Sequence, residues 1–228
     1  FLIVFAPVSP IWSLVKEDAT NVMPALTVLS AGGSIWNGKS QIQLHQFPPS
    51  RLTWEISPFE LLKGKVATTA RAVGDGHFMD LEAELNSAEA KLKAIDGQFN
   101  SDFINSVSQH YGMTFSGLLS VDETFISTDK NRITDAGGSF HWSGGLVTVA
   151  NPSRTLELPP LDGELHLEDQ LLVLDITHQL SSALKVTLNK EGWATIAIKG
   201  TFFDIANLAR PEGTSPGETI LLLEEKLL

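Results

Sequence analysis

The sequence predicts a mainly β protein, with curved antiparallel sheet or sheets and a few short helices, on three observations. Most segments alternate apolar and polar residues with period two, the pattern of half-buried strands. Short turn sequences such as Asn189-Lys190-Glu191-Gly192 separate these runs. Helical spacing is confined to three brief stretches, so a strand meander fits better than the regular helix–strand alternation of a parallel α/β sheet.

Taken in order, Ile42 and Leu44 alternate with Gln41, Gln43 and His45 and mark a strand. Ser57-Pro58-Phe59-Glu60 is a capping box with proline at the first helical position, and Gly64 is placed to stop that turn. Met79, Leu81, Ala83 and Leu85 then alternate with Asp80, Glu82 and Glu84. After Asn86-Ser87, the residues Ala88, Ala90, Leu92 and Ala94 alternate with Glu89, Lys91 and Lys93. A two-residue turn there sets Glu82 opposite Lys91 and Asp80 opposite Lys93, pairs worth roughly 0.2–1 kcal/mol each, and sets Glu84 unfavourably against Glu89. Residues 101–110 form a helix with Phe103, Ile104 and Val107 on one face, ended by Gly112. Further strands are predicted at 113–121, 123–127, 139–142, 146–149, 163–168, 171–177, 183–188 and 193–199. A last helix over 201–209 opens with Thr201 and Asp204 and closes at Arg210-Pro211.

Composition narrows the function classes. The 228 residues are 43% hydrophobic, enough apolar material for a globular core. Sixteen Lys and Arg against 27 Asp and Glu give a net charge of −11, with no basic cluster, which disfavours nucleic acid as a partner. The chain has no cysteine, which removes disulfides, thiolate nucleophiles and Cys-ligated metals together. Residues 1–15 carry no charge, contain Pro7 and Pro10, and are shorter than the ~20 residues of a spanning helix. Trp12 suits a membrane–water interface, so 1–15 are expected to be the outer end of an N-terminal membrane anchor, truncated here, before a β domain over 16–228.

A near-repeat suggests how that domain is organised. Gly32-Gly33-Ser34-Ile35-Trp36-Asn37-Gly38 is echoed by Gly137-Gly138-Ser139-Phe140-His141-Trp142-Ser143-Gly144-Gly145, and each is followed by an alternating segment and a Pro-Pro, Pro48-Pro49 and Pro159-Pro160. Two similar β units, 16–112 and 113–228, would explain the echo.

One stretch resembles a nucleotide site. Gly33 to Ser40 matches G-x-x-x-x-G-K-[ST], and Leu171-Leu172-Val173-Leu174-Asp175 resembles the strand whose Asp holds Mg²⁺ in P-loop enzymes. The pattern works only where a helix begins after it, yet Ser40 is followed by a period-two run ending in prolines. The motif is therefore expected to be a glycine-rich turn with Trp36 as a core anchor. Gly74-x-Gly76 lacks the third glycine of a dinucleotide fingerprint, where Met79 stands. The histidines, His45, His77, His110, His141, His166 and His178, lack metal-ligand spacing and are expected to face solvent on strands. Asp80, Glu82 and Glu84 have no glycine-turned calcium loop beside them. No G-x-S-x-G elbow is present, and Trp54, Trp142 and Trp193 are expected to be buried anchors. No catalytic, cofactor-binding or metal-binding residue is assigned.

The chain resembles the type II secretion system protein N family of the bacterial general secretion pathway. The resemblance rests on Gly33, Trp36 and Gly38 in the first glycine motif, and on Trp54, Pro58 and Gly64 in Trp-Glu-Ile-Ser-Pro-Phe-Glu-Leu-Leu-Lys-Gly. It continues through Gly138, Trp142 and Gly144, then Pro160 and Gly163 in Pro-Pro-Leu-Asp-Gly-Glu-Leu. It implies an inner-membrane protein with one N-terminal span and its main domain in the periplasm. The family's role is accessory and non-catalytic, serving export of folded periplasmic proteins across the outer membrane. The implied fold is similar to AsmA-like envelope proteins with long curved sheets. Expected partners are other secretion components, on the inner-membrane platform or the outer-membrane secretin side. An envelope module that binds lipid or another hydrophobic ligand in a β trough is the alternative, since Met79, Leu81, Leu85 and Leu92 share one face. A P-loop nucleotide-binding protein is a third reading and rests on the motif alone.

Overall fold

The period-two runs find their partners mostly next to them in the chain. In the computed structural model, residues 26–44, 47–129, 132–151 and 153–226 are described. From the start come β1 (Leu26–Gly33), β2 (Asn37–Leu44) and β3 (Ser50–Ile56), then the single-turn helix α1 (Pro58–Leu61). β4 (Val66–Gly74), β5 (His77–Leu85) and β6 (Glu89–Phe99) lead into α2 (Ser101–Ser108) and a 3-10 turn over Gln109–Tyr111. β7 (Met113–Phe115), β8 (Leu119–Asp129), β9 (Arg132–Trp142), β10 (Gly145–Ala150) and β11 (Ser153–Leu158) follow. The chain continues through β12 (Leu161–Glu168), β13 (Leu171–His178), β14 (Ser181–Leu188) and β15 (Trp193–Lys199) to α3 (Gly200–Ile205) and β16 (Thr219–Lys226).

Thirteen of these strands make one antiparallel sheet in the order β1 to β6, β8, β9, then β12 to β16. The three strands left out, β7, β10 and β11, form a small second sheet. It gathers the two excursions that leave the meander, one between β6 and β8 and one between β9 and β12. The expected unit boundary at 112/113 falls inside the first excursion. Across it β6 pairs directly with β8, so described residues on both sides share one sheet.

Several local expectations change. The 113–121 run is two strands, because Gly117 adopts φ +92° and turns the chain between β7 and β8. The β5–β6 hairpin sits two residues away from the expected register, with Glu82 opposite Lys93 and Glu84 opposite Lys91. The cause is Asn86, whose side-chain oxygen accepts from the amides of Ala88 at 2.8 Å and Glu89 at 2.9 Å. That Asx turn moves the two-residue loop one position on, to Ser87-Ala88, and separates Glu84 from Glu89. The last helix is shorter than 201–209 and spans Gly200–Ile205. α2 stops at the expected Gly112, left-handed beyond the 3-10 turn, and its N-cap is Asn100, whose side chain accepts from the Phe103 amide.

Few of the described residues are deeply buried. One cluster joins Val147, Leu158 and Ala206, with Phe115, Trp142, Leu156, Phe202 and Leu208 packed around it. It lies where the small sheet and the segment from α3 meet the end of β9. A second, aromatic cluster joins Phe47, His77, Phe99 and Phe103, where the start of α2 covers the first residue of β5 and the last of β6.

Candidate functional site

Antiparallel registers carry one row of side chains across the whole main sheet. Reading partner to partner, the row runs Ala31, Ser40, Leu52, Ala72, Met79, Gly97, Val121, Phe140, Gly163, Ile176, Leu184, Ile198, Leu221. Residues directly opposite share a face, so this is the sheet's apolar side. Leu81, Ala83 and Leu85 of β5 lie on it with Leu92, which pairs with Ala83. The next row over is polar: Lys39, Thr53, Arg71, Asp80, Asp96, Asp122, Ser139, Glu164, Asp175, Lys185.

The apolar side is only partly covered. At about 4.8 Å between neighbours, thirteen strands span roughly 58 Å, whereas the three-stranded layer spans roughly 10 Å. Away from that layer large side chains stay open: Leu85 is 53% exposed, Leu92 50% and Leu223 46%. At the edge of α1, Phe59 is 74% exposed and Leu62 86%. The cations beside them are neutralised within the chain, Lys63 by Glu60 at 2.6 Å and Lys65 by Glu84 at 3.5 Å. The Lys63 hydrogen bond holds the Glu60 carboxyl below its ordinary value.

The family-motif residues fall into three places. Gly33 (φ +94°) and Gly38 flank the β1–β2 hairpin, closed by Ser34 donating to the Asn37 carbonyl at 2.9 Å. The Trp54 indole lies over Gly38, where a Cβ would run into its ring, and donates to the Ile35 carbonyl at 3.1 Å. Trp36 is half-buried rather than a core anchor. Pro58 begins α1 and Gly64 (φ +75°) ends the turn after it. Gly138 faces the β8 bulge at Glu123 and Thr124, against which any side chain would collide. Trp142 donates to the Ser116 carbonyl at 3.0 Å and meets Phe115 edge-on. Gly144 packs on the backbone of Pro159 and Pro160, and Gly163 on Phe140. Pro160 in turn offers its carbonyl to His178 at 3.0 Å. The two glycine echoes thus do different jobs, a hairpin turn in one case and a mid-strand gap for a bulge in the other.

The P-loop pattern does not build a phosphate site. Lys39 and Ser40 are consecutive in β2, so they point to opposite faces, and Ser40 is buried on the apolar one. An open depression of about 730 Å³ does lie beside Lys39, bordered also by Glu55, Arg71 and Asp80. Its two cations and two carboxylates balance, and Arg71 is already paired with Asp80 at 3.4 Å. Nothing there concentrates charge for a phosphate.

Other expectations need correction. Trp193 is 47% exposed on the polar side, not a buried anchor. His77 is buried rather than facing solvent. Its Nδ1 sits 3.2 Å from the Asp75 carbonyl and its Nε2 2.6 Å from Ser50 Oγ. His110 and His141 are exposed, and His166 and His178 are intermediate. His45 and residues 1–15, with the anchor expected there, lie outside the described residues. Among the described residues no helix is long and apolar enough to cross a membrane, and no group of side chains is arranged to hold a metal ion.

The comparisons with known proteins bear on what this scaffold serves. The family model for type II secretion system protein N matches residues 24–215, most of the chain and all of the motifs above. The chain belongs to the type II secretion system protein N family. It is therefore a component of a protein-transport apparatus of the cell envelope, from a family that acts with other secretion components. No curated protein and no solved structure matches it significantly. Sequence reasoning reached the family through its glycine and tryptophan motifs. It did not find the exposed Phe59 and Leu62, although the unbalanced apolar face of α1 carried that signal.

Proposed function

We propose that this type II secretion protein N is a non-enzymatic accessory subunit that works through protein–protein contacts in export of folded periplasmic proteins. Residues 1–15 form the outer end of an N-terminal inner-membrane anchor, and the main β domain lies in the periplasm. The uncharged run 1–15 with Trp12 supports the anchor. The observation that carries the contact role is the sheet's apolar side, left open at Leu85, Leu92 and Leu223 beyond the small covering layer. Large apolar side chains left open on one sheet face support an interaction surface there. The partners are other secretion components, on the inner-membrane platform or the secretin side. Crosslinking in native envelopes, followed by mild-detergent capture and mass spectrometry, tests this. Capture of inner-membrane or secretin-side components supports it; repeated absence of every secretion component overturns it.

A second reading is favoured by the same open face. Leu81, Ala83, Leu85 and Leu92 line a stretch that no helix of the described residues covers, suited to lipid or another hydrophobic ligand. Lipid recovered in the same capture, without a secretion protein, would put this reading first.

A further inference from the structure

We infer that β11 is a docking edge, which takes one extended segment of a partner protein as a fourth strand of the small sheet and holds a carboxylate of that segment on Arg154. The inference does not rest on the open apolar face of the main sheet, because it concerns the backbone groups of the small sheet alone. That sheet runs β11, β10, β7, so β7 and β11 are its two edges. The β7 edge is closed. Asn105 of α2 accepts from the Phe115 amide at 2.7 Å and donates to the Phe115 carbonyl at 2.9 Å, as a neighbouring strand would. Among the described residues no strand and no side chain closes β11 in this way. A sheet edge in that state offers a row of unpaired N–H and C=O groups.

The ladder fixes which groups of β11 are free. The Ala150 amide donates to the Gly112 carbonyl, and the Ser116 amide donates to the Leu146 carbonyl. Leu146, Thr148 and Ala150 therefore direct their backbone groups toward β7. Gly145, Val147 and Val149 direct theirs toward β11, where they meet Leu158, Leu156 and Arg154. That leaves the N–H and C=O of Ser153, Thr155 and Glu157 pointing away from β10. The Thr148 and Thr155 hydroxyls, 3.1 Å apart, agree with this, because side chains come closest at pairs that exchange no backbone bonds. All six residues of β11 pair with β10 in register, without a bulge, so the free groups are evenly spaced.

Beside these groups lies a groove of about 390 Å³, with β11 on one side and Ala206 to Leu208 on the other. A strand added there bonds to Thr155 and Glu157 and rests its inner side chains against Leu156 and Leu208, which already pack on the buried cluster. Arg154 sets the chemistry of the segment. It shares the inner face with Leu156 and Leu158, is exposed, and makes no ion pair among the described residues of a chain whose net charge is −11. A charge standing on an edge turns away wholly apolar strands. A strand that brings a carboxylate answers it, so the edge selects.

Proline separates docking from folding. The Thr155 amide makes no bond to β10, so Thr155→Pro removes an outward donor and puts a ring in the groove while the ladder stays whole. Thr155→Val, which loses only the hydroxyl, is the control. The full 228-residue chain, in mild detergent, is panned against a phage-displayed library of random linear peptides. The recovered peptides are expected to carry Asp or Glu among alternating apolar residues. They should bind Thr155→Val as they bind the parent chain, and Thr155→Pro about tenfold or more weaker. Arg154→Glu should lose the acidic peptides. Hydrogen exchange should find the Thr155 and Glu157 amides unprotected in the free chain and slowed by a recovered peptide, with Leu156 protected throughout. Far-UV circular dichroism of each variant checks that the sheets are intact. A library with no binder sensitive to Thr155→Pro, or binders without acidic residues, overturns the inference. So does a dimer that Thr155→Pro dissociates, which would make a second copy the occupant.

Discussion

The Trp54 indole rests over the α-carbon of Gly38 on the adjacent strand, held there by its own hydrogen bond to the Ile35 carbonyl at 3.1 Å. The ring and the hairpin fix each other, and the space is available only because position 38 has no side chain. Gly38→Ala should therefore push the ring off its hydrogen bond and destabilise the fold by roughly 1–3 kcal/mol, the usual cost of overpacking. Urea unfolding of the variant checks this. An unchanged midpoint would mean the indole moves aside freely.

Three carboxylates stand opposite one another on the polar side, Asp80 against Asp96 and Asp96 against Asp122. Arg71 reaches only Asp80, at 3.4 Å. Asp96→Asn should raise stability by roughly 0.2–1 kcal/mol, since like charges across strands repel. The gain should shrink as salt is added, because exposed charges are screened. Thermal melting at low and high ionic strength measures both effects.

His77 is buried with its Nδ1 beside the Asp75 carbonyl, so that nitrogen carries the proton and Nε2 accepts from the Ser50 hydroxyl. Ser50→Ala leaves the buried Nε2 without a donor and should cost about 1–3 kcal/mol. Denaturant unfolding of Ser50→Ala, compared with Ser50→Thr, which keeps a hydroxyl, reads the effect.

On the polar side Lys185 donates to Glu168 at 2.8 Å. That hydrogen bond, with the lysine's charge, holds the Glu168 carboxyl below its ordinary value of 4.5, and it raises Lys185 above its ordinary 10.5. A carboxyl lowered in the folded state contributes stability above its unfolded value and loses it as pH falls through the folded one. A lysine raised in the folded state contributes below its unfolded value and loses it as pH rises through the folded one. The stability difference between the parent chain and Lys185→Gln should be constant around neutrality and shrink toward acid once pH drops below 4.5. Urea midpoints across a pH series test it.

Strongly alternating strands such as β5 and β12 were legible in the sequence, and β13 was read from its apolar run. β4 and β16, built on small or unalternating residues, were not. In β4, Thr68, Ala70 and Ala72 carry the apolar face with too little hydrophobic contrast to announce it. In β16, Leu221, Leu222 and Leu223 run together because an edge strand has no obligation to hide one side. The β5–β6 register was missed because Asn86 commits its side chain to two amides, a contact that spacing alone does not reveal. The family motifs were readable because glycine and tryptophan are needed where backbones and rings crowd, as at Gly38 and Trp54. Which surface meets a partner is set by what remains uncovered after folding, and a period-two pattern is the same whether or not a second layer lands on it.

The order of the main sheet also dictates how it can be assembled. A strand that follows its neighbour in the chain can zip onto it soon after synthesis, because little chain has to be looped out first. Among the described residues only two joins break this rule, β6 to β8 and β9 to β12, and each must close over an excursion. β7 comes from the first excursion, and β10 and β11 come from the second. The pairing of β7 with β10 therefore becomes possible only when both excursions are out, which makes the small sheet a late clasp across the three stretches into which they divide the meander, β1 to β6, β8 to β9 and β12 to β16.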